Sequence, residues 1–168
     1  LDFAVAVTHS LPPPADFIVR AQPPQHGGLF VRAGHPLQSV PKPKLRAALA
    51  QYRLAATDLP QRAREDLAKL YQVAGVDELP IAFECDSVSA LRDVAVGSDV
   101  VLFCTREAIV AELAQGALVP LPLPYPASGP LTYSVIHRAR RSLSPTAKRI
   151  ITLVQAYLAG EGTDGTAD

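Results

Sequence analysis

Short apolar runs alternate with amphipathic stretches along most of this chain. The first run, residues 3–7 (FAVAV), is continuous and ends in the polar Thr8, His9 and Ser10, then Leu11 and three prolines. That pattern predicts a buried strand entering a loop. Residues 17–19 and 29–31 predict two more brief strands, and the PPQHGG between them predicts a bend or surface hairpin. The proline- and lysine-bearing SVPKPK at 39–44 predicts a crossover ahead of a short helix at 45–51.

The middle of the chain has a βαβ rhythm. Residues 53–56 form a strand, Asp58 is a candidate N-cap with Pro60 in the first turn, and 61–73 form a helix with Leu67, Leu70 and Tyr71 on one face, stopped by Gly75. Residues 81–85 form the next strand, Asp86 or Ser87 caps a helix carrying Val88, Leu91 and Val94, and 100–103 is a fully apolar third strand. Strands alternating with helices predict a parallel sheet. A third helix over 105–114, an edge-like strand at 118–123 that tolerates Pro120 and Pro122, and a second crossover at PYPASGP (124–130) follow. Residues 131–137 alternate as a strand. Ser144 and Pro145 then open a last helix, in which Ile150, Ile151, Leu153, Val154, Tyr157 and Leu158 make a wide apolar stripe before Gly160. The tail EGTDGTAD (161–168) has nothing to bury and reads as disordered.

The 168 residues, 48% of them hydrophobic, suffice for a domain or two small lobes with a real core. Sixteen basic and sixteen acidic residues cancel, which argues against a strongly basic nucleic-acid surface. No apolar run approaches the roughly 20 residues that span a bilayer, and no signal peptide opens the chain, so a cytoplasmic protein without a membrane partner is expected. Cys85 and Cys104 sit in the apolar runs IAFEC and VVLFC without a CxxC pair or neighbouring histidines, and read as buried free thiols rather than metal ligands. Neither GxxxxGK[ST] nor GxGxxG occurs, so no cofactor is expected. His9 and Ser10 with Asp58 or Asp86 could be drawn as a hydrolytic triad, but no GxSxG elbow accompanies them, and the chain does not read as an enzyme. His137, Arg138, Arg140 and Arg141 form a short basic cluster that reads as a solvated strand end, not a DNA-binding motif.

Ligands of parallel α/β sheets bind outside the carboxyl ends of the strands, near helix amino termini. The positions this selects are Thr8, His9 and Ser10 after the first strand, Thr57 and Asp58 after 53–56, Asp86 and Ser87 after 81–85, and Thr105 after 100–103. Each has a second reading as a helix cap, worth about 0.5–2 kcal/mol. Threonine, serine and histidine suit a small polar molecule, while Asp58 and Asp86 oppose an anion if both face inward. The sign of the ligand's charge stays open.

Residues 91–123 (LRDVAVGSDVVLFCTREAIVAELAQGALVPLPL), with LDFAVAV at the start, VRAGHPL at 31–37 and LSPTAKRIITLVQAYLAG at 143–160, resemble the effector-binding domain of LysR-type transcriptional regulators. The likeness runs nearly to Gly160. It implies an α/β, two-lobed, periplasmic-binding-protein-like (type II) fold with two crossover hinges. The first lobe would span 1–38, the second 39–126, and 127–160 would return to the first. It also implies a small-molecule effector in the inter-lobe cleft. In the family's usual pattern a second glycine stands at Asp99 and an effector-touching proline at Cys104, so these departures bear on pocket shape and add Cys104 to the candidate ligand residues. Family members begin with a winged helix-turn-helix, a linker helix and two βα units, all of which precede the part present here. The first lobe is therefore expected to be incomplete, DNA to be reached only through that missing amino-terminal domain, and the intact protein to be a homodimer or homotetramer. A solute-binding protein of a transport system, with the same two-lobed architecture, is the rival reading.

Overall fold

The computed structural model describes residues 2–7, 16–123 and 132–159. In chain order they form β1 (Ala4–Val7), β2 (Phe17–Ala21), β3 (Gly27–Arg32), α1 (Lys42–Leu49), β4 (Leu54–Ala56), α2 (Gln61–Tyr71), β5 (Ile81–Glu84), α3 (Val88–Gly97), β6 (Val101–Thr105), α4 (Val110–Ala114), β7 (Leu118–Pro120), β8 (Tyr133–Arg138) and α5 (Pro145–Leu158), with 3-10 turns at Pro36–Ser39, Val76–Glu78 and Arg106–Ile109. They divide into two compact units, residues 1–25 with 130–168, and residues 26–129.

The larger unit is built on a five-stranded sheet of order β5-β4-β6-β3-β7. As the alternation predicts, β4 runs parallel to both β5 and β6. β3 instead pairs antiparallel with β6 and β7. Of the bend or hairpin expected between β2 and β3, the hairpin is not formed, since β2 pairs with β8, and the chain passes from the smaller to the larger unit between Gln25 and His26, ahead of the boundary expected at residue 38. The cause is burial: Leu29, Phe30 and Val31 are 3%, 4% and 0% exposed, and only a central strand covers all three. Leu29, Val31, Leu54, Val101 and Phe103 face α1 and α2, while Phe30, Ala55 and Leu102 face Leu91 and Ala95 of α3 and Ile109. SVPKPK therefore leads into α1 inside this unit, while the second crossover expected at PYPASGP lies outside the described residues.

In the smaller unit β8 is central, antiparallel to β1 and β2. Ser144 caps α5 as expected, its Oγ accepting from the Ala147 N–H at 3.1 Å with Pro145 opening the helix. The apolar stripe of α5 is only partly used. Ala147 and Ile151 are buried, whereas Ile150, Leu153 and Tyr157 are exposed. Gly160 and the tail expected to be disordered lie outside the described residues.

Helix ends follow local chemistry, with two corrections. Of the two caps expected for α3, Ser87 is the one used, accepting from the Ala90 N–H at 3.3 Å. Asp58 does not cap α2, because Pro60 occupies the cap position and the helix starts with no side-chain cap. Gly75 does not stop α2 either. Gln72 ends it in the left-handed region at φ +59°, and the Val73 N–H closes back to the Ala68 carbonyl at 3.1 Å. The helix expected over 105–114 divides into the 3-10 turn and α4.

Candidate functional site

The carboxyl ends of β4, β5 and β6 share one edge of the larger sheet. Ala56 lies opposite both Glu84 and Phe103, so the next residues, Thr57, Cys85 and Cys104, come level with one another. Asp58, Asp86, Ser87 and Thr105 continue from them into the loops ahead of α2, α3 and the 3-10 turn. Six of the sequence-derived positions (Thr57, Asp58, Asp86, Ser87, Cys104 and Thr105) thus fall on one edge. Thr8, His9 and Ser10 lie outside the described residues.

Two groups at this edge escaped the sequence reading. β3 enters it from the antiparallel direction, setting Gly27 opposite Thr105 and Gly28 opposite Cys104. A Cβ on Gly27 would lie 2.7 Å from the Phe103 ring, so only glycine lets that ring close over the strand. The paired glycines of PPQHGG were the available signal. The second group is Arg64 on α2. It donates through Nε to the Leu59 carbonyl at 3.2 Å and through one terminal nitrogen to Glu84 at 2.7 Å and Asp58 at 3.3 Å. Burial pulls its guanidinium down, but the bonds to Glu84 and Asp58 carry it above the ordinary arginine value. Arg64 thereby ties the loop after β4 to the end of β5. Because the Asp58 side chain is 82% exposed, Glu84 is the firmer partner.

The side chains at the edge differ in what they can offer a ligand. The Ser87 hydroxyl is spent on the α3 cap and on Ser89 at 3.0 Å. Thr57 and Thr105 are half-buried, Thr105 makes no cap bond, and neither hydroxyl has a hydrogen-bond partner among the described residues. They are the side chains best able to turn toward a bound molecule. Burial, with the carboxylates of Glu107 and Glu112 adding to it, pushes the Cys104 thiol up to about 12, so it presents a neutral thiol and apolar surface. Cys85 and Cys104 are both free. Cys85 directly follows β5 and Cys104 lies in β6, the strands on either side of β4, so they are roughly 10 Å apart, beyond the reach of a disulfide. Among the described residues no three His, Cys, Asp or Glu side chains gather as a metal site would need.

Asp99 belongs elsewhere. It precedes β6, at the end opposite Cys104, and its carboxylate bonds Arg32 Nε at 2.9 Å. His35 of the GHPL segment clamps the same turn. Its Nε2 donates to the Asp99 carbonyl at 3.2 Å, its Nδ1 accepts from the Leu37 N–H at 3.0 Å, and its ring leans on Tyr52 with centroids 4.7 Å apart. The expectation that Asp99 alters the ligand side is therefore corrected: GHPL and Asp99 form a structural clamp, roughly 17 Å along the strand from Cys104.

Two α/β units, one assembled from two separated stretches of chain and the other a continuous stretch between them in sequence, with polar loops gathered at the carboxyl ends of parallel strands in the larger, define the class of two-lobed type II periplasmic-binding-protein-like domains. The LysR substrate binding domain family model matches residues 1–159, and the chain belongs to that family. The "SDS degradation transcriptional activation protein" of Pseudomonas sp. (strain ATCC 19151) is 34% identical over 130 residues, which cover 76% of this chain and 41% of that protein. The chain thus spans well under half of the curated relative it matches. Among solved structures, the CrgA regulatory domain of Neisseria meningitidis, a LysR-type transcriptional regulator, aligns with TM-score 0.64 at 12% identity, over 94% of this chain and 75% of that one. The effector-binding domain of QuiR, solved in complex with shikimate, aligns with TM-score 0.62 at 13% identity, over 95% and 72%. No helix among the described residues is long and apolar enough to cross a membrane.

Proposed function

We propose that this chain is the small-molecule sensing part of a LysR-type transcriptional regulator. It binds a small metabolite at the carboxyl edge of the β4, β5 and β6 strands and relays its presence to a DNA-binding domain outside this chain. The observation that carries the reading is the pairing of the family match over 1–159 with two half-buried threonines, Thr57 and Thr105, at that edge. Asp58, Asp86, Ser87 and Cys104 complete the wall on this side. Thr8, His9 and Ser10 contribute by resemblance. Relay requires that the effector bind one arrangement of the regulator more tightly than another, and the intact protein works as a homo-oligomer.

The test is a thermal-shift screen of the full-length regulator. Shikimate and short alkyl sulfates head the library, because one relative was solved with the former and another is named for SDS degradation. A binder at 100 times its dissociation constant adds about 2.7 kcal/mol. A hit that is lost in Thr57→Ala and Thr105→Ala supports the site. A hit indifferent to both substitutions places binding elsewhere, and a folded protein that answers to nothing argues for a purely structural module.

A further inference from the structure

The neutral charge of the chain conceals a local cluster. Residues 1–25 and 130–168 carry six cations (Arg20, Arg138, Arg140, Arg141, Lys148 and Arg149) and five carboxylates (Asp2, Asp16, Glu161, Asp164 and Asp168), a formal +1, so the excess is confined to one stretch rather than spread over the unit. Residues 26–123 of the larger unit carry ten cations and eleven carboxylates. Five of the six cations lie within twelve residues, from the end of β8 to the second turn of α5, and all five are exposed. The Asp2 carboxylate links Arg141, at 3.7 Å, to the Ser144 cap, at 3.0 Å, which places the Arg141 guanidinium near the head of α5, the helix that carries Lys148 and Arg149. Arg138, Arg140, Lys148 and Arg149 have no acidic partner among the described residues.

This cluster works against its own fold. The amino-terminal end of a helix favours anions and disfavours cations, yet α5 has no acidic residue in its first turn and two cations just beyond it. Local rules broken without a local gain mark a functional surface. We propose that Arg138, Arg140, Arg141, Lys148 and Arg149 form a contact surface for the phosphate backbone of double-stranded DNA, reached when the full-length regulator occupies its operator. A dense set of unpaired, exposed cations suits a polyanion with closely spaced charges. A lipid surface fits less well, because the cations stop at Arg149 and the remaining nine helical residues of α5, 150–158, carry no charge. The sequence reading ended the cluster at Arg141, and the structure extends it onto α5.

The inference rests on the reading of the intact protein as a DNA-bound regulator, and one experiment separates the two. Operator affinity of the full-length protein is measured by fluorescence anisotropy from 50 to 300 mM KCl, for the wild type and for the triple variant Arg138→Gln, Arg140→Gln, Lys148→Gln. Each lost phosphate contact lowers the slope of log affinity against log salt by about 0.9, so the triple variant is expected to lose roughly 2 to 3 from the slope. Its melting temperature should hold or rise, because the helix dipole is relieved, and effector-induced stabilisation should persist. An unchanged slope in a folded, effector-responsive variant overturns the phosphate contact alone. A wild-type protein that ignores DNA overturns the regulator reading as well. Wild-type binding to phosphatidylserine vesicles at a salt that abolishes DNA binding would assign the surface to membranes instead.

Discussion

Gln72 has the only positive φ among the described non-glycine residues, +59°, and that strain ends α2. A side chain in the left-handed region costs about 1 kcal/mol or more that glycine does not pay. Gln72→Gly is therefore expected to stabilise the protein by up to about 1 kcal/mol in urea unfolding, and a loss of stability would mean that the Gln72 side chain does something not visible in its contacts. Gly27 has the opposite constraint. An added methyl would sit 2.7 Å from the Phe103 ring, so Gly27→Ala should cost about 1–3 kcal/mol. Because the displaced ring borders Cys104 and Thr105, the same variant should weaken effector binding by more than its stability loss explains. Isothermal titration at a temperature where the variant stays folded makes the comparison, and an unchanged affinity would show that the position of the Phe103 ring does not reach the site.

At the scale of elements, the turn before β6 separates structural from binding roles. Asp99→Gly removes an exposed ion pair with Arg32, worth no more than about 1 kcal/mol, and should leave effector affinity unchanged because the turn is at the far end of the strand. His35→Ala deletes both bonds and the ring packed on Tyr52, and should cost about 2–4 kcal/mol. An effector affinity that follows Asp99 would contradict this division. The same contrast explains what was legible in the sequence. The capping role of Ser144, the serine at the start of α3 and the strand ends carrying Thr57 and Thr105 were readable because each depends on neighbours within a few residues. β3 was misplaced because its partners are some seventy to ninety residues away, in β6 and β7, and an apolar run of three does not announce its neighbours. Arg64 went unnoticed for the same reason: its bond to Glu84 crosses from α2 to β5. The GHPL segment was recognisable as a family landmark, but its purpose as a clamp on Asp99 could be seen only once β3 and β6 lay side by side.

Across the whole molecule, acid–base chemistry predicts an alkaline limit to stability. The Cys104 thiol, ordinarily near 9.0, is pushed up to about 12 by burial and by the nearby Glu107 and Glu112 carboxylates. Tyr71, 1% exposed with a hydroxyl that meets no hydrogen-bond partner among the described residues, is pushed well above its ordinary 10.0 by burial alone. Both groups keep their protons in the folded state at a pH where the unfolded chain has released them. The folded state then binds more protons, and stability falls as pH rises. The contribution is intact below about pH 8. It declines from pH 9.0 as unfolded thiols ionise, steepens above 10.0 as unfolded tyrosine joins, and for Cys104 ends near 12. Each group adds at most about 1.4 kcal/mol per pH unit within its window. Urea midpoints at pH 7.5, 9.5 and 10.5 should therefore fall in that order. In Cys104→Ala the drop between 7.5 and 9.5 should nearly vanish, while the Tyr71 share at 10.5 remains. A wild-type midpoint that is flat across this range, or a variant that falls as steeply as the wild type, would show that the thiol ionises as readily in the folded chain as in the unfolded one, and that Cys104 faces water rather than the packed end of β6.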